Sequence, residues 1–287
     1  MAAWIRLADR GVVSVTGPEA AGFLDNLLTN DMAVLERQPA LLAGLLTPQG
    51  KILFEMLVVK ANDGFWLETG RDAAPALAKR LSMYKLRAKV GIEDRSGDAC
   101  VAVALDGGTE QRAGSVRFPD PRAPGLGNRI IAVAGLAADL SDEGPYHRRR
   151  IALGIGEASR DYPLGDTFPH EANWDRIGGV SFTKGCFVGQ EVVARMQHKT
   201  IVRKRLVRVS GAGPLEAGAP VLLGEVEIGR LGTVEGRDGL ALVRLDRALE
   251  AEPSLTSGGT AITIDADTLD RYRRETAERD ARSKAPL

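Results

Sequence analysis

The strongest constraint on the fold is a turn. Asn62-Asp63-Gly64 separates the apolar run Ile52–Lys60 from Phe65–Glu68, and residues of this kind supply the positive backbone angles that a tight hairpin requires. The two runs therefore lie antiparallel. A second turn at Thr47-Pro48-Gln49-Gly50 places Leu41–Leu46 before them, so this segment predicts an antiparallel meander. Helices are expected on both sides. Pro18 at a first turn, with Phe23, Leu24, Leu27 and Leu28 on one face, predicts a helix that stops near Asn30 and leaves LLTND at its end. The spacing of Leu77, Leu81 and Tyr84 predicts a second from Asp72 to about Lys89.

Beyond this point helix and strand alternate without a Rossmann pattern. Strands are expected near Val90, Cys100 and Ile130, a Pro- and Gly-rich loop over 122–128, and a helix over Tyr146–Leu153. After Thr200 the short runs LVRV, APVLL, EIGRLGTVE and LALVRL are punctuated by glycine, which predicts a small antiparallel barrel. The stretch from Asp265 is highly charged and reads as a solvated helix or a frayed tail. Three regions result: 1–199, a barrel over 200–264, and a charged tail over 265–287.

With 287 residues, 44% of them hydrophobic, the chain has enough apolar surface for proper cores. Basic and acidic residues both number 38, so no global charge excess draws it to nucleic acid or to an anionic membrane. Such claims must rest on local patches. The opening MAAWIRLADRG lacks a basic region followed by a long apolar core, and no run is long enough to span a bilayer, so a cytoplasmic location is expected. Cys100 and Cys186 form no Cys-x-x-Cys pair and have no histidine at ligand spacing. Neither a disulfide scaffold nor a resident metal site is expected, and an iron–sulfur cluster would be shared or handled in passing.

The most unusual segment is Lys184-Gly185-Cys186-Phe187-Val188-Gly189-Gln190-Glu191, followed by Val192, Val193, Ala194 and Arg195. Its glycines permit a turn that enters a helix at about Gln190. Lys184 and a helix N-terminus favour thiolate at Cys186, against the ordinary expectation that a free cysteine is a small buried residue. From Arg195 to Arg208 there are six basic residues and no acidic one. Without interleaved aromatics this reads as a solvated linker rim, and direct nucleic-acid binding is not expected. His170 is the candidate to line a pocket, whereas His147 and His198 lie in basic stretches and are expected at the surface. Gly154-Ile155-Gly156 lacks the strand-first context of a dinucleotide site.

KGCFVGQE with VAR behind it resembles the signature of the YgfZ-type folate-binding proteins, Lys-Gly-Cys-aromatic-x-Gly-Gln-Glu. The neighbouring sequence agrees: an Arg-rich start to a Gly-Ile segment (150–156), Pro169, Glu171 and Asn173 in a Pro-x-Glu-x-Asn element, and Gly-Gly-x-Ser-Phe over 178–182. LLTND is similar to an element shared with the aminomethyltransferases of glycine cleavage. The resemblance spans most of the chain and implies an α+β fold, with interleaved antiparallel-sheet and helix subdomains in a T-protein-like three-domain arrangement and a C-terminal β-barrel. It also implies a central opening for tetrahydrofolate or a one-carbon-substituted folate.

Carried over residue by residue, the resemblance makes Cys186 the reactive thiol with Lys184 beside it. It makes Asn30, Glu55, Glu171, Asn173, Phe187, Gln190, Glu191 and Arg195 the folate contacts, types that suit pterin NH groups, ring faces and a glutamate tail. Two departures bear on activity. Phe54-Glu55 stands where the aminomethyltransferases carry an Asp pair, and misplacing a catalytic group by about 1 Å can cost roughly a hundredfold. Ala152 stands where they carry Glu. The implied role is therefore a folate-binding accessory protein for maturation or repair of iron–sulfur enzymes, including those that thiolate tRNA, with client enzymes or assembly factors as partners. The alternative is a one-carbon transferase or demethylase using Glu55 as base.

Overall fold

The computed structural model describes residues 4–107, 113–133, 142–249 and 255–284. Strands β1 (Ile5–Arg6) and β2 (Arg10–Thr16) lead into α1 (Ala20–Asp25), and the meander follows as β3 (Ala40–Leu46), β4 (Ile52–Ala61) and β5 (Gly64–Gly70). Helix α2 (Ala74–Lys85) then returns the chain to β6 (Gly91–Asp94). The resulting antiparallel sheet has the order β3-β4-β5-β2-β6. Strands β7 (Ala99–Ala104), β8 (Ser115–Pro119) and β9 (Asn128–Val133) form a second sheet with β1, in the order β1-β7-β9-β8. Because β1 belongs to this sheet and β2 to the other, the chain starts in one subdomain, builds its neighbour and returns. That is the interleaving.

Helices α3 (Gly144–Leu153) and α4 (Gln190–Lys199) precede the barrel. Its strands are β10 (Lys204–Gly211), β11 (Pro220–Leu223), β12 (Val226–Glu235), β13 (Asp238–Arg244), β14 (Leu255–Ser257) and β15 (Thr260–Ile264), with α5 (Leu245–Ala248) after β13. They close in the order β10-β13-β12-β11-β14-β15, β15 pairing back to β10. Closure leaves no edge strand to protect.

The first sheet is covered on both faces, which explains why β4 reads as a continuous apolar run. Leu57 and Val59 enter a core shared with Trp174, Phe187 and the barrel's Leu206 and Leu242, while Phe54, Met56 and Val58 share a second core with Leu24 of α1, Leu28 beyond its end, and Leu77 and Leu81 of α2. Glu55 therefore points into the shared core.

Two expected elements differ. The helix expected over 18–30 ends at Asp25, because Thr29 Oγ1 donates to Gly179 O and accepts from Gly44 N–H while Leu28 makes a bridge to Leu45. Tertiary partners pull LLTND off the helix. The charged tail is α6 (Ala266–Lys284), and it docks: Tyr272 is buried against the barrel, Glu275 pairs with Arg176, and Arg279 donates to the carbonyls of Met196 and Gln197 at the end of α4.

Candidate functional site: a thiol loop clamped to a distant turn

Cys186 is exposed, on the loop that turns into α4. Gly189 makes the turn with φ +80°, and a Cβ there would lie 2.6 Å from Thr47 O, so both backbone angle and close approach require glycine. The turn at 47–50 is thus the floor beneath the loop. Phe187, next to the thiol, is buried in the shared core and anchors the loop from the other side.

Lys184 completes the anchoring, and its direction is informative. Its side chain is 1% exposed, and its ammonium donates to the carbonyls of Asp25, Leu28 (3.1 Å) and Asn30 (3.0 Å) and to Asp25 Oδ1 (3.1 Å). These carbonyls lie where α1 ends, so a cation caps a broken helix end. Asn30 locks the same turn by donating to Leu42 O and Gly178 O and accepting from Asp31 N–H. LLTND and the thiol segment are one structure.

At the junction of the two sheets, α3 and the barrel lies a buried ionic network, in which only Arg10 Nη2, Glu68 Oε2 and Arg150 Nε among its described buried atoms lack a hydrogen bond. Arg129 on β9 bonds to Glu68 on β5, Asp120, Tyr146 and Glu157; Arg10 pairs with Glu68, Arg122 with Asp120 and Glu157, and Arg150 with Asp161. Asp161 also accepts from Thr233 N–H of β12, and Arg150 donates to Thr233 Oγ1, which ties in the barrel. Every ionic side chain named here is at most 4% exposed. Burial alone raises the Asp120 and Glu157 pKa values, but the arginines overcome it and hold both carboxyls below the usual range.

Glu55 borders this network without closing it. Tyr162 Oη donates to Glu55 Oε2 and itself accepts from Trp174 Nε1, and Trp174 lies over Gly44, where a Cβ would meet the indole at 2.4 Å. Glu55 Oε1 is buried with no hydrogen-bond partner. Burial pushes the Glu55 pKa up, opposed by Arg10, Arg122 and the Tyr162 bond. Its burial keeps the Glu55 carboxyl out of hydrogen-bond reach of a molecule at the surface, which a general base requires.

The structure places the expected site residues in two groups. Glu55, Asn30 and Phe187 are committed as described, and Asn173, at φ +62°, donates to Leu206 O and accepts from Arg205, fastening β10 to the preceding region. Glu171 is half-buried and accepts from Phe168 N–H, and burial raises its pKa. Gln190 accepts from Phe187 N–H, while Glu191 and Arg195 are exposed on α4. Asn30, Glu55, Phe187 and Asn173 are thus committed to the protein itself, which leaves Glu171, Gln190, Glu191 and Arg195 of the eight nearer the surface.

Further expectations are corrected by burial. His147 is buried between Glu143 and Arg150 instead of lying at the surface, and Arg205 in the basic run is buried and bidentate to Asp175. His170 is fully buried and contacts Gln197 of α4 through Nε2. Tyr162, Trp174 and the network partners carried no local sequence signal. Among the described residues no group of three His, Cys, Asp or Glu side chains is arranged to hold a metal ion, and no helix is long and apolar enough to cross a membrane.

Comparison with known proteins gives this geometry its context. Residues 203–268 match the family described as the CAF17 C-terminal beta-barrel domain. The crystal structure of glycine cleavage system aminomethyltransferase T from Bartonella henselae superposes with a TM-score of 0.74, covering 92% of this chain and 85% of that one at 17% identity, so the overall fold is that of the T-protein. The human protein named "Iron-sulfur cluster assembly factor IBA57, mitochondrial" is 33% identical over 94% of this chain and 85% of its own length. The mouse protein of the same name is 34% identical over 84% and 78%. Both are named as mitochondrial, which overturns the cytoplasmic location expected from the sequence. The motif pointed to YgfZ-type proteins, a name that these relatives do not carry; by its likeness to them the chain belongs to the IBA57 family of iron–sulfur cluster assembly factors.

Proposed function

We propose that this chain works in iron–sulfur cluster assembly by presenting Cys186 as one thiolate ligand to a cluster whose remaining ligands come from a partner protein. One observation carries the reading: Cys186 is exposed while the residues around it, Lys184, Phe187 and Gly189, are fixed by contacts to distant parts of the chain. A thiol held out on a rigid loop suits transfer more than storage. Clusters take about four ligands, mostly thiolates, and the chain has two cysteines, of which Cys100 is half-buried on β7. The other ligands therefore come from a client enzyme or an assembly factor, with enzymes that thiolate tRNA among the clients.

Tetrahydrofolate or a one-carbon-substituted folate enters the proposal as a ligand only, with Glu171, Gln190, Glu191 and Arg195 left to meet it. Calorimetric titration under reducing conditions decides that part, and no detectable heat removes folate from the account.

The function itself is tested by complementation in cells lacking this protein. Cys186→Ser should fail to restore iron–sulfur enzyme activity, whereas Glu55→Gln should restore it. The reverse pattern would favour one-carbon transfer and sink the proposal.

A further inference from the structure

The outer face of α2 is a surface that the thiol loop does not use. Its inner face is buried through Ala74, Leu77 and Leu81, but Met83 is 63% and Leu86 89% exposed. Lys79, Met83 and Leu86 follow the i, i+4, i+7 spacing that places them on one face. Around them the sequence from 73 to 92 carries Lys79, Arg80, Lys85, Arg87 and Lys89 and no acidic residue. None of these five side chains makes an ion pair among the described residues. The acids nearby belong to other elements: Asp72 in the turn before α2, Glu19, whose carboxylate accepts the Lys89 backbone N–H, and Glu93 and Asp94 on β6.

Leu86 adds an independent observation. It ends the helix at φ +45°, ψ −104°, in the half of backbone space that favours glycine. The chain thus holds a large apolar side chain almost wholly in water, in a conformation that leucine avoids. Strain kept at an exposed site points to a use for the side chain.

We propose that the tip of α2 docks peripherally on an anionic lipid surface. Two protruding apolar side chains enter the interface while one-signed, unpaired cations meet the headgroups. Lysine is depleted at protein–protein interfaces relative to the rest of the surface, and three of the five cations here are Lys79, Lys85 and Lys89. A chain of zero net charge is drawn there by the local patch alone.

Co-sedimentation of the full chain with vesicles tests this directly. Partitioning should be about tenfold or more higher on phosphatidylcholine vesicles containing about one third phosphatidylglycerol than on phosphatidylcholine alone, and should fall as salt is raised. The double variant Met83→Ser, Leu86→Gly should lose about tenfold of this binding. Glycine relieves the backbone at 86, so that variant keeps its fold, and an unchanged melting temperature checks this. Equal binding to both vesicle types, or an unaffected variant, would overturn the proposal. Failure of the wild type to bind vesicles, with loss of cellular function in the double variant, would also overturn it and assign the face to an acidic protein.

Discussion

The three-subdomain junction and the thiol loop are built from similar residues and do opposite things with them. At the junction Arg10, Arg122, Arg129 and Arg150 meet Glu68, Asp120, Glu157 and Asp161, and every one of these side chains is spent in an ion pair with another. At the loop a single cation, Lys184, is consumed in the same way, and what it frees is the exposed thiol two residues on. The lesson is that buried charge in this fold holds subdomains together, and chemistry is left to the group that the clamp turns outward.

The comparison breaks most visibly at the junction. Arg129→Met takes from Glu68 and Asp120 one of the two arginines that hold each of them and should cost about 3–5 kcal/mol, read as a fall in the urea midpoint. Lys184→Met leaves three carbonyls and Asp25 without their donor and should cost about 2–3 kcal/mol, with faster hydrogen exchange at both 26–31 and 181–189. Faster exchange at one segment alone would show that the two are not one unit.

pH sharpens the contrast between carboxyls. Asp120 and Glu157 have folded pKa values below their unfolded ones, so their stabilisation is present above the unfolded value and is lost as pH falls toward the folded one, below about pH 4. Glu55 has a raised folded pKa, so its stabilisation is present in acid and is lost as pH rises through that value. Glu55→Gln should therefore be at least as stable as wild type at neutral pH, with an advantage that grows in denaturant titrations as pH rises above the ordinary glutamate value of about 4.3. A variant that weakens as pH rises would contradict the assignment. The smallest effect belongs to the thiol: Cys186→Ser should leave stability within about 0.5 kcal/mol of wild type, measured by the same urea titration.

Local chemistry made much of the fold legible. The hairpin at Asn62-Asp63-Gly64 and the glycine-punctuated barrel depend on neighbours in sequence, and both stand where their residues place them. The end of α1 was not legible, because Thr29 answers to Gly179 and Asn30 to Gly178, nearly 150 positions away. Lys184 was misread for the same reason: beside Cys186 in sequence, it spends its ammonium on a turn more than 150 positions earlier. The junction is equally non-local, joining Glu68 to Arg10 and Arg129 across about sixty residues on either side. Sequence spacing could nominate Cys186, whereas no spacing announced the clamp that presents it.

The account rests on Cys186 as the ligand this chain contributes, and one measurement addresses that alone. Wild type, Cys186→Ser and Cys100→Ser are incubated anaerobically with iron, sulfide and dithiothreitol, the small thiol standing in for the partner's ligands, and iron per chain is measured after gel filtration. Wild type and Cys100→Ser should retain iron and sulfide together, and Cys186→Ser should retain neither. Equal retention by Cys186→Ser would contradict the account.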